Sequence, residues 1–151
     1  MEGTEVKMAR KNYLWPETPA GRSAIWTRSL GPCQCIATFN TADGERTLTH
    51  LPGGDTTESY YDLLASVISD TVVVFLVNGD VGSKEQFEGI ECPKFKKGIV
   101  DALVRDGKGE VVPKVSWITL WTERAEDEQK RTVPGTFVLE VDGRYGRGKY
   151  D

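Results

Sequence analysis

Residues 27–54 read TRSLGPCQCIATFNTADGERTLTHLPGG and contain two of the three cysteines and the single histidine of the chain. Residues 33–40 alternate between two faces, as the residues of a half-buried strand do. The Asp43-Gly44 dipeptide is a strong hairpin signal, and Glu45–Leu51 returns as a second strand before a Pro-Gly-Gly loop. The stretch therefore predicts a β-hairpin that brings its two cysteines and its histidine close together.

The sequence on either side of the hairpin predicts both strands and helices. The continuous apolar run at 71–77 is typical of a strand that is covered on both faces. Apolar residues with helical spacing follow an N-cap aspartate at 55 and a proline at 93. The predicted elements are a first strand Ser23–Leu30, the hairpin, a helix Asp55–Ser69, a strand Thr71–Val77, a helix Pro93–Arg105, a strand Val111–Thr122 and a last strand Thr136–Val141. The order β-ββ-α-β-α-β-β predicts an α+β fold with a mixed or antiparallel, sandwich-like sheet core and two main flanking helices.

The domain organisation predicted from the sequence is simple. Residues 1–22 contain two prolines, two glycines and scattered charges, which predicts an irregular N-terminal arm. Residues 23–151 are predicted to form a single domain, because no linker or repeat divides them. Within it, 83–91 is ambiguous between helix and loop, the charged run Arg124–Arg131 is predicted to be solvated, and Asp142–Asp151 is predicted to be a tail.

Composition restricts the classes of partner. The net charge is −4 and the sequence contains no basic run, which argues against nucleic-acid binding. No apolar stretch approaches the roughly 20 residues that span a bilayer. The polar, acidic N-terminus does not resemble a signal or transit peptide, and three cysteines without framework spacing favour a reducing, cytoplasmic location. One histidine and this cysteine spacing do not suit zinc, so no metal or other cofactor is expected.

The hairpin carries the residue types of thiol catalysis. Hydrolysis of an amide by a thiol needs a thiolate, a neighbouring base, a group that orients the base, and donors for the oxyanion. Cys33 or Cys35 can supply the thiol and His50 the base, while a neutral Thr or Asn can orient the imidazole ring. Backbone N–H groups near Gly31, or near Gly53 and Gly54, are candidates for the oxyanion hole.

The hairpin register bears on which cysteine is the nucleophile. With Asp43-Gly44 as a two-residue turn, His50 lies opposite Ala37, and Cys35 is its diagonal neighbour. With a four-residue loop, His50 lies directly opposite Cys35. Both registers place Cys35 nearer to His50 than Cys33, although a bulge would change this.

The motif Leu30-Gly31-Pro32-Cys33, with Thr27 six residues before the cysteine and His50-Leu51-Pro52 beginning seventeen after it, resembles the bacterial chemoreceptor glutamine deamidases, the CheD family. That resemblance covers residues 23–141 and implies a CheD-like fold, with Cys33 as nucleophile, His50 as base and Thr27 as the orienter of His50. It implies a protein glutamine side chain or a small-molecule amide as substrate. The related cytotoxic necrotizing factor deamidases have a Cys–His spacing nearer fifteen, which Cys35 fits.

Two features of the sequence depart from the family pattern. Pro32 stands where the family has a serine and removes one backbone N–H donor, and Cys35 is an additional thiol. Buried cysteines often serve only as small apolar side chains, but the joint spacing of Thr27, Cys33 and His50 favours catalysis. The function predicted from the sequence is thus a cysteine-dependent amidohydrolase. The alternatives are a related acyl transfer or cyclisation of a small molecule, and an inactive interaction domain that has kept the fold.

Overall fold

The structure is a computed structural model, which describes residues 3–28, 30, 33–51, 61–62, 64–66, 68–78, 92–119 and 135–146. Nine strands lie in these residues: β1 Thr4–Glu5, β2 Lys11–Leu14, β3 Ile25–Thr27, β4 Gln34–Asn40, β5 Arg46–Leu51, β6 Val72–Asn78, β7 Val115–Thr119, β8 Phe137–Leu139 and β9 Tyr145–Gly146. Helix α1 spans Cys92–Arg105, and residues 61–62 and 64–65 are also helical. Short 3-10 helices span Ala20–Arg22 and Gly109–Lys114.

The strands form two mixed sheets. The five-stranded sheet has the order β2-β5-β4-β6-β7, in which only β6 and β7 are parallel. These two strands are joined through α1, as expected because a parallel pair needs a crossover connection. The four-stranded sheet has the order β1-β3-β8-β9, in which β1 and β3 are parallel. The two sheets and the helices give the predicted α+β architecture.

The core has two layers, one on each face of the five-stranded sheet. Between the sheets, one cluster joins side chains such as Cys35, Leu48 and Phe75 to Ile25 and Phe137 of the smaller sheet. On the opposite face, the other cluster packs apolar residues of β4 and β6 against α1 and the helical segment at 61–65. Burial of both faces explains why β6 is almost wholly apolar. The molecule is therefore layered sheet on sheet on helix.

The predicted hairpin is present, and the structure decides its register. The Asn40 N–H donates to the Glu45 carbonyl at 2.9 Å, so a four-residue loop at 41–44 connects this pair, and Cys35 pairs with His50. The side chains of Asn40 and Asp43 each accept a hydrogen bond from the backbone N–H two residues ahead, at 2.9 Å, which stabilises this longer loop. Gly44 supplies the positive φ of 75°. Of the two registers considered, the one with the four-residue loop is correct.

Three predictions about the flanking segments are wrong. Residues 1–22 are not wholly irregular, since β1 and β2 pair with strands that come later in the chain. The strand predicted over Val111–Thr122 begins only at Val115, because residues 109–114, including Pro113, form a 3-10 helix. The predicted tail at 142–151 contains a strand, β9, which forms a hairpin with β8.

The helix Pro93–Arg105 and the strand Thr71–Val77 are confirmed to within one residue at each end. The strands predicted over Ser23–Leu30 and Thr136–Val141 are present as β3 and β8, but they are shorter, at 25–27 and 137–139. The segments 83–91 and Arg124–Arg131, and most of the predicted helix Asp55–Ser69, lie outside the described residues. None of the described helices is long and apolar enough to cross a membrane.

Candidate active site

Four residues predicted from the sequence belong to the buried region between the sheets or to its edge. Thr27 is the last residue of β3, and His50 is the penultimate residue of β5. Cys33 directly precedes β4, and Cys35 is the second residue of that strand. The side chains of opposed residues in antiparallel strands lie on one face, so Cys35 and His50 are neighbours. All four residues are buried.

A hydrogen-bond chain fixes the orientation of the imidazole ring. The Thr27 hydroxyl lies 2.6 Å from His50 Nδ1 and 2.6 Å from the carbonyl oxygen of Val6. Two oxygens this close need a proton between them, and a carbonyl has none to give, so the hydroxyl donates to Val6. The hydroxyl oxygen must then accept a hydrogen bond from Nδ1–H. The neutral ring is thereby held as the Nδ1–H tautomer, which leaves the lone pair on Nε2.

His50 is suited to act as a base. Burial lowers the pKa of His50, because the charged imidazolium is poorly solvated between the sheets. The ring is therefore neutral near pH 7, as a general base must be. Its Nε2 is buried and has no hydrogen-bond partner within the part of the chain that the structure describes. An unsatisfied buried acceptor costs about 1–3 kcal/mol, which is the kind of cost found where a site awaits a reacting group.

The two thiols occupy different environments. Cys35 is only 1% exposed, and burial strongly raises its pKa, so its thiol stays protonated at neutral pH. Cys33 is 7% exposed, and its thiol donates a long hydrogen bond, with a sulfur–sulfur distance of 4.0 Å, to the thioether of Met8. Met8 itself is 60% exposed. Cys33 thus lies closer to the surface than Cys35 and is the better placed of the two to meet a substrate.

Sequence reasoning missed the contribution of the N-terminal segment. Val6 anchors Thr27, and Met8 contacts Cys33, as described above. The Ala9 N–H donates to the His50 carbonyl at 2.9 Å, and the His50 N–H donates to the Arg10 carbonyl at 3.1 Å. Ala9 and Arg10, which directly precede β2, therefore both oppose His50 of β5, which is the pattern of a β-bulge. Ala9 has a φ of 62°, and alanine gives no sequence signal for such a conformation.

Not every predicted site residue can be placed. Gly31, Gly53 and Gly54, the candidates for the oxyanion hole, lie outside the described residues, as does Pro32. Within the described part of the chain, no three His, Cys, Asp or Glu side chains cluster as a metal site would require. The structure joins Val6 to Thr27, Thr27 to His50 and His50 to the paired residue Cys35, while the Cys33 thiol contacts Met8.

No protein-family model matches this chain, and no curated protein matches it either. The resemblance to the CheD family therefore rests on the spacing of Thr27, Cys33 and His50 in the sequence.

Proposed function

We propose that the protein is a cysteine-dependent amidohydrolase of the glutamine-deamidase type. Cys33 is the nucleophile, His50 the general base and Thr27 the residue that orients His50. The observation that carries the proposal is the Thr27–His50 hydrogen bond, which leaves the Nε2 lone pair free on a ring that lies opposite Cys35, a member of the core cluster that also contains Cys33. A neutral residue such as Thr27 suffices in this position, because its task is to hold the tautomer of His50 by accepting a hydrogen bond from Nδ1–H.

The reaction proceeds in two halves through a thioester. His50 Nε2 takes the thiol proton, and the thiolate attacks the carboxamide carbon to give a tetrahedral oxyanion. The proton passes from Nε2 to the leaving nitrogen, ammonia departs, and the acyl group remains on sulfur. His50 then removes a proton from water, whose oxygen attacks the thioester. Collapse releases the carboxylic acid and returns the proton to the thiol, so the net reaction is carboxamide plus water to carboxylate and ammonium.

Burial favours Cys33 over Cys35 as the nucleophile. A thiol as deeply buried as Cys35 gains its negative charge only at high pH, and no described cation lies near enough to lower its pKa. Attack by Cys33 requires its thiol to turn from Met8 to His50 Nε2. Catalytic hydrogen bonds are often unformed before substrate binds, so the present contact with Met8 is compatible with this role.

The substrate class and location follow from the same chemistry. A glutamine side chain on a protein is one candidate substrate, and a small-molecule amide is the other. The chemistry uses no cofactor, because the thiol and the imidazole supply the nucleophile and the proton transfers. Cys33 and Cys35 are both free thiols, which suits a reducing compartment and supports the proposal of a cytoplasmic location.

The test is ammonia release from glutamine-containing peptides and from free carboxamides, with the product mass measured in parallel. We expect Cys33→Ala and His50→Asn to abolish release, and Cys35→Ala to retain most of it. Cys35→Ala is the matched control, since it removes the same group two residues away on the same face. If only Cys35→Ala abolished release, Cys35 would be the nucleophile and the assignment to Cys33 would be wrong.

One observation favours a second candidate, an inactive interaction domain. His50 Nε2 has no hydrogen bond to either thiol, and the Cys33 thiol points to Met8 instead. An inactive domain would release no ammonia from any amide. Its thiols would also be alkylated at a rate that does not change when His50 is replaced by Asn, whereas a catalytic thiol loses reactivity with its base.

A further inference from the structure

The segment from Val6 to Arg10 touches every member of the proposed catalytic set. The Val6 carbonyl holds the Thr27 hydroxyl, while Ala9 and Arg10 hold the backbone of His50 on both its N–H and C=O. Met8 lies between these anchors, and its side chain contacts the Cys33 thiol. The backbone on both sides of Met8 is therefore fixed, whereas its side chain is 60% exposed and free to change rotamer.

We propose that Met8 is the access-determining residue of the site: its side chain covers Cys33, and a substrate carboxamide must displace it to reach the thiol. This inference rests on the proposed function, because it assigns the cover to the same nucleophile. Methionine suits the task, since it is unbranched, flexible and polarizable. A cover of this kind admits a slender carboxamide that pushes the side chain aside and disfavours a rigid or branched one.

Met8 and Ala9 are the central residues of a turn, which the Arg10 N–H closes by donating to the Lys7 carbonyl at 3.1 Å. The αL conformation of Ala9 costs about 1 kcal/mol or more for a residue other than glycine. That strain is located where the arm passes both His50 and Cys33.

Displacement of Met8 also accounts for the resting contacts. While the Cys33 thiol donates to the Met8 sulfur, it does not donate to His50. Removal of the thioether leaves the thiol without this acceptor, and His50 Nε2 is a buried acceptor without a partner among the described residues. Entry of substrate therefore couples exposure of the sulfur to its activation.

The first test measures alkylation by iodoacetamide, with each cysteine quantified separately by peptide mass spectrometry. We expect Met8→Ala to raise the Cys33 rate about tenfold and Met8→Leu to stay within about twofold of the parent protein, because leucine still covers the thiol through its rotamers. The control is Val104→Ala on helix α1, whose parent residue is also 60% exposed. An unchanged rate in Met8→Ala, or a Met8→Leu rate equal to that of Met8→Ala, overturns the proposal.

The same experiment controls for loss of structure. Cys35 is buried and is expected to remain unlabelled in every folded variant. If Met8→Ala exposes Cys35 as well, the gain at Cys33 comes from unfolding, and the proposal is overturned. Labelling does not depend on turnover. If the amidohydrolase function fails, ammonia is absent from all variants while the Met8 effect on labelling persists; if the cover fails, labelling is unchanged while ammonia release continues.

A second test uses the adduct itself. Iodoacetamide leaves a carboxamide group on Cys33 Sγ, which stands in for the substrate amide. The chain has only two methionines, Met1 and Met8, so methyl carbon NMR resolves them readily. We expect the Met8 methyl signal to shift and sharpen on alkylation while that of Met1 stays in place. A Met8 signal that does not change when Cys33 is alkylated contradicts displacement.

Discussion

Replacement of Thr27 by valine tests the hydrogen-bond chain behind His50. Valine has nearly the shape of threonine, so packing is retained while the hydroxyl is lost. The Val6 carbonyl and His50 Nδ1–H, both held at 2.6 Å by that hydroxyl, lose their partner in a buried region. Each orphaned group costs about 1–3 kcal/mol, and the neutral ring relieves one of them by changing tautomer.

The expected loss is therefore about 1–3 kcal/mol in the free energy of unfolding, from the carbonyl that stays unpaired. For a domain of this length, that corresponds to a fall of about 2–12 °C in the melting temperature. The control is Thr27→Ser, which keeps the hydroxyl, removes one methyl group and costs about 1 kcal/mol. Chemical denaturation of the two variants, measured side by side, gives the difference that belongs to the hydroxyl.

The tautomer gives a second readout that packing alone does not move. The chain has one histidine, so long-range proton–nitrogen NMR reports on His50 without assignment. We expect Nδ1 to carry the proton in the parent protein and in Thr27→Ser, and Nε2 to gain it in Thr27→Val. The reasoning is refuted if Thr27→Val is no less stable than Thr27→Ser, or if the parent protein has its proton on Nε2.

Three further predictions concern buried polar groups. Because folding lowers the pKa of His50, the contribution of this residue to the free energy of unfolding is fully present above pH of about 6.5 and is lost as the pH drops through the folded-state pKa. The denaturant midpoints at pH 7.5 and 5 should therefore differ less in His50→Gln than in the parent protein. Because burial raises the pKa of Cys35, its thiol should resist alkylation in the native protein at pH of about 9 and react once urea unfolds the chain. Alkylation of Cys35 in the folded protein would show that its thiol is accessible and would contradict this prediction. Arg46 is fully buried and donates hydrogen bonds to the carbonyls of Leu139 and Gly21, so Arg46→Leu should lower the free energy of unfolding by about 3 kcal/mol or more. A change below about 1 kcal/mol would show that these hydrogen bonds do not stabilise the fold.

The elements with strong local patterns could be predicted from the sequence. The alternation in residues 33–40 and the apolar run at 71–77 each leave one sensible structure, since one or both faces must be buried. The hairpin register was left open between two loops. It depends on whether the side chains of Asn40 and Asp43 stabilise a longer loop, which is a detail of hydrogen bonding and not of hydrophobic pattern.

The N-terminal strands could not be predicted, because they are short and their pairing is tertiary. β1 has two residues and β2 four, with no clear alternation, and each gains its hydrogen bonds from a strand later in the chain. Of the site, Thr27, Cys33, Cys35 and His50 were singled out by spacing. The roles of Val6 and Met8 arise from the pairing of the arm and have no motif in the sequence.

The most direct test of the proposed chemistry is covalent trapping. A diazoketone analogue of glutamine reacts only with a thiol that a neighbouring base has activated in a carboxamide-binding site. After incubation, tandem mass spectrometry locates the adduct. We expect one adduct per chain, on Cys33, with formation lost in His50→Asn and retained in Cys35→Ala. An adduct on Cys35, or reaction at Cys33 that does not depend on His50, would contradict the proposed catalytic set.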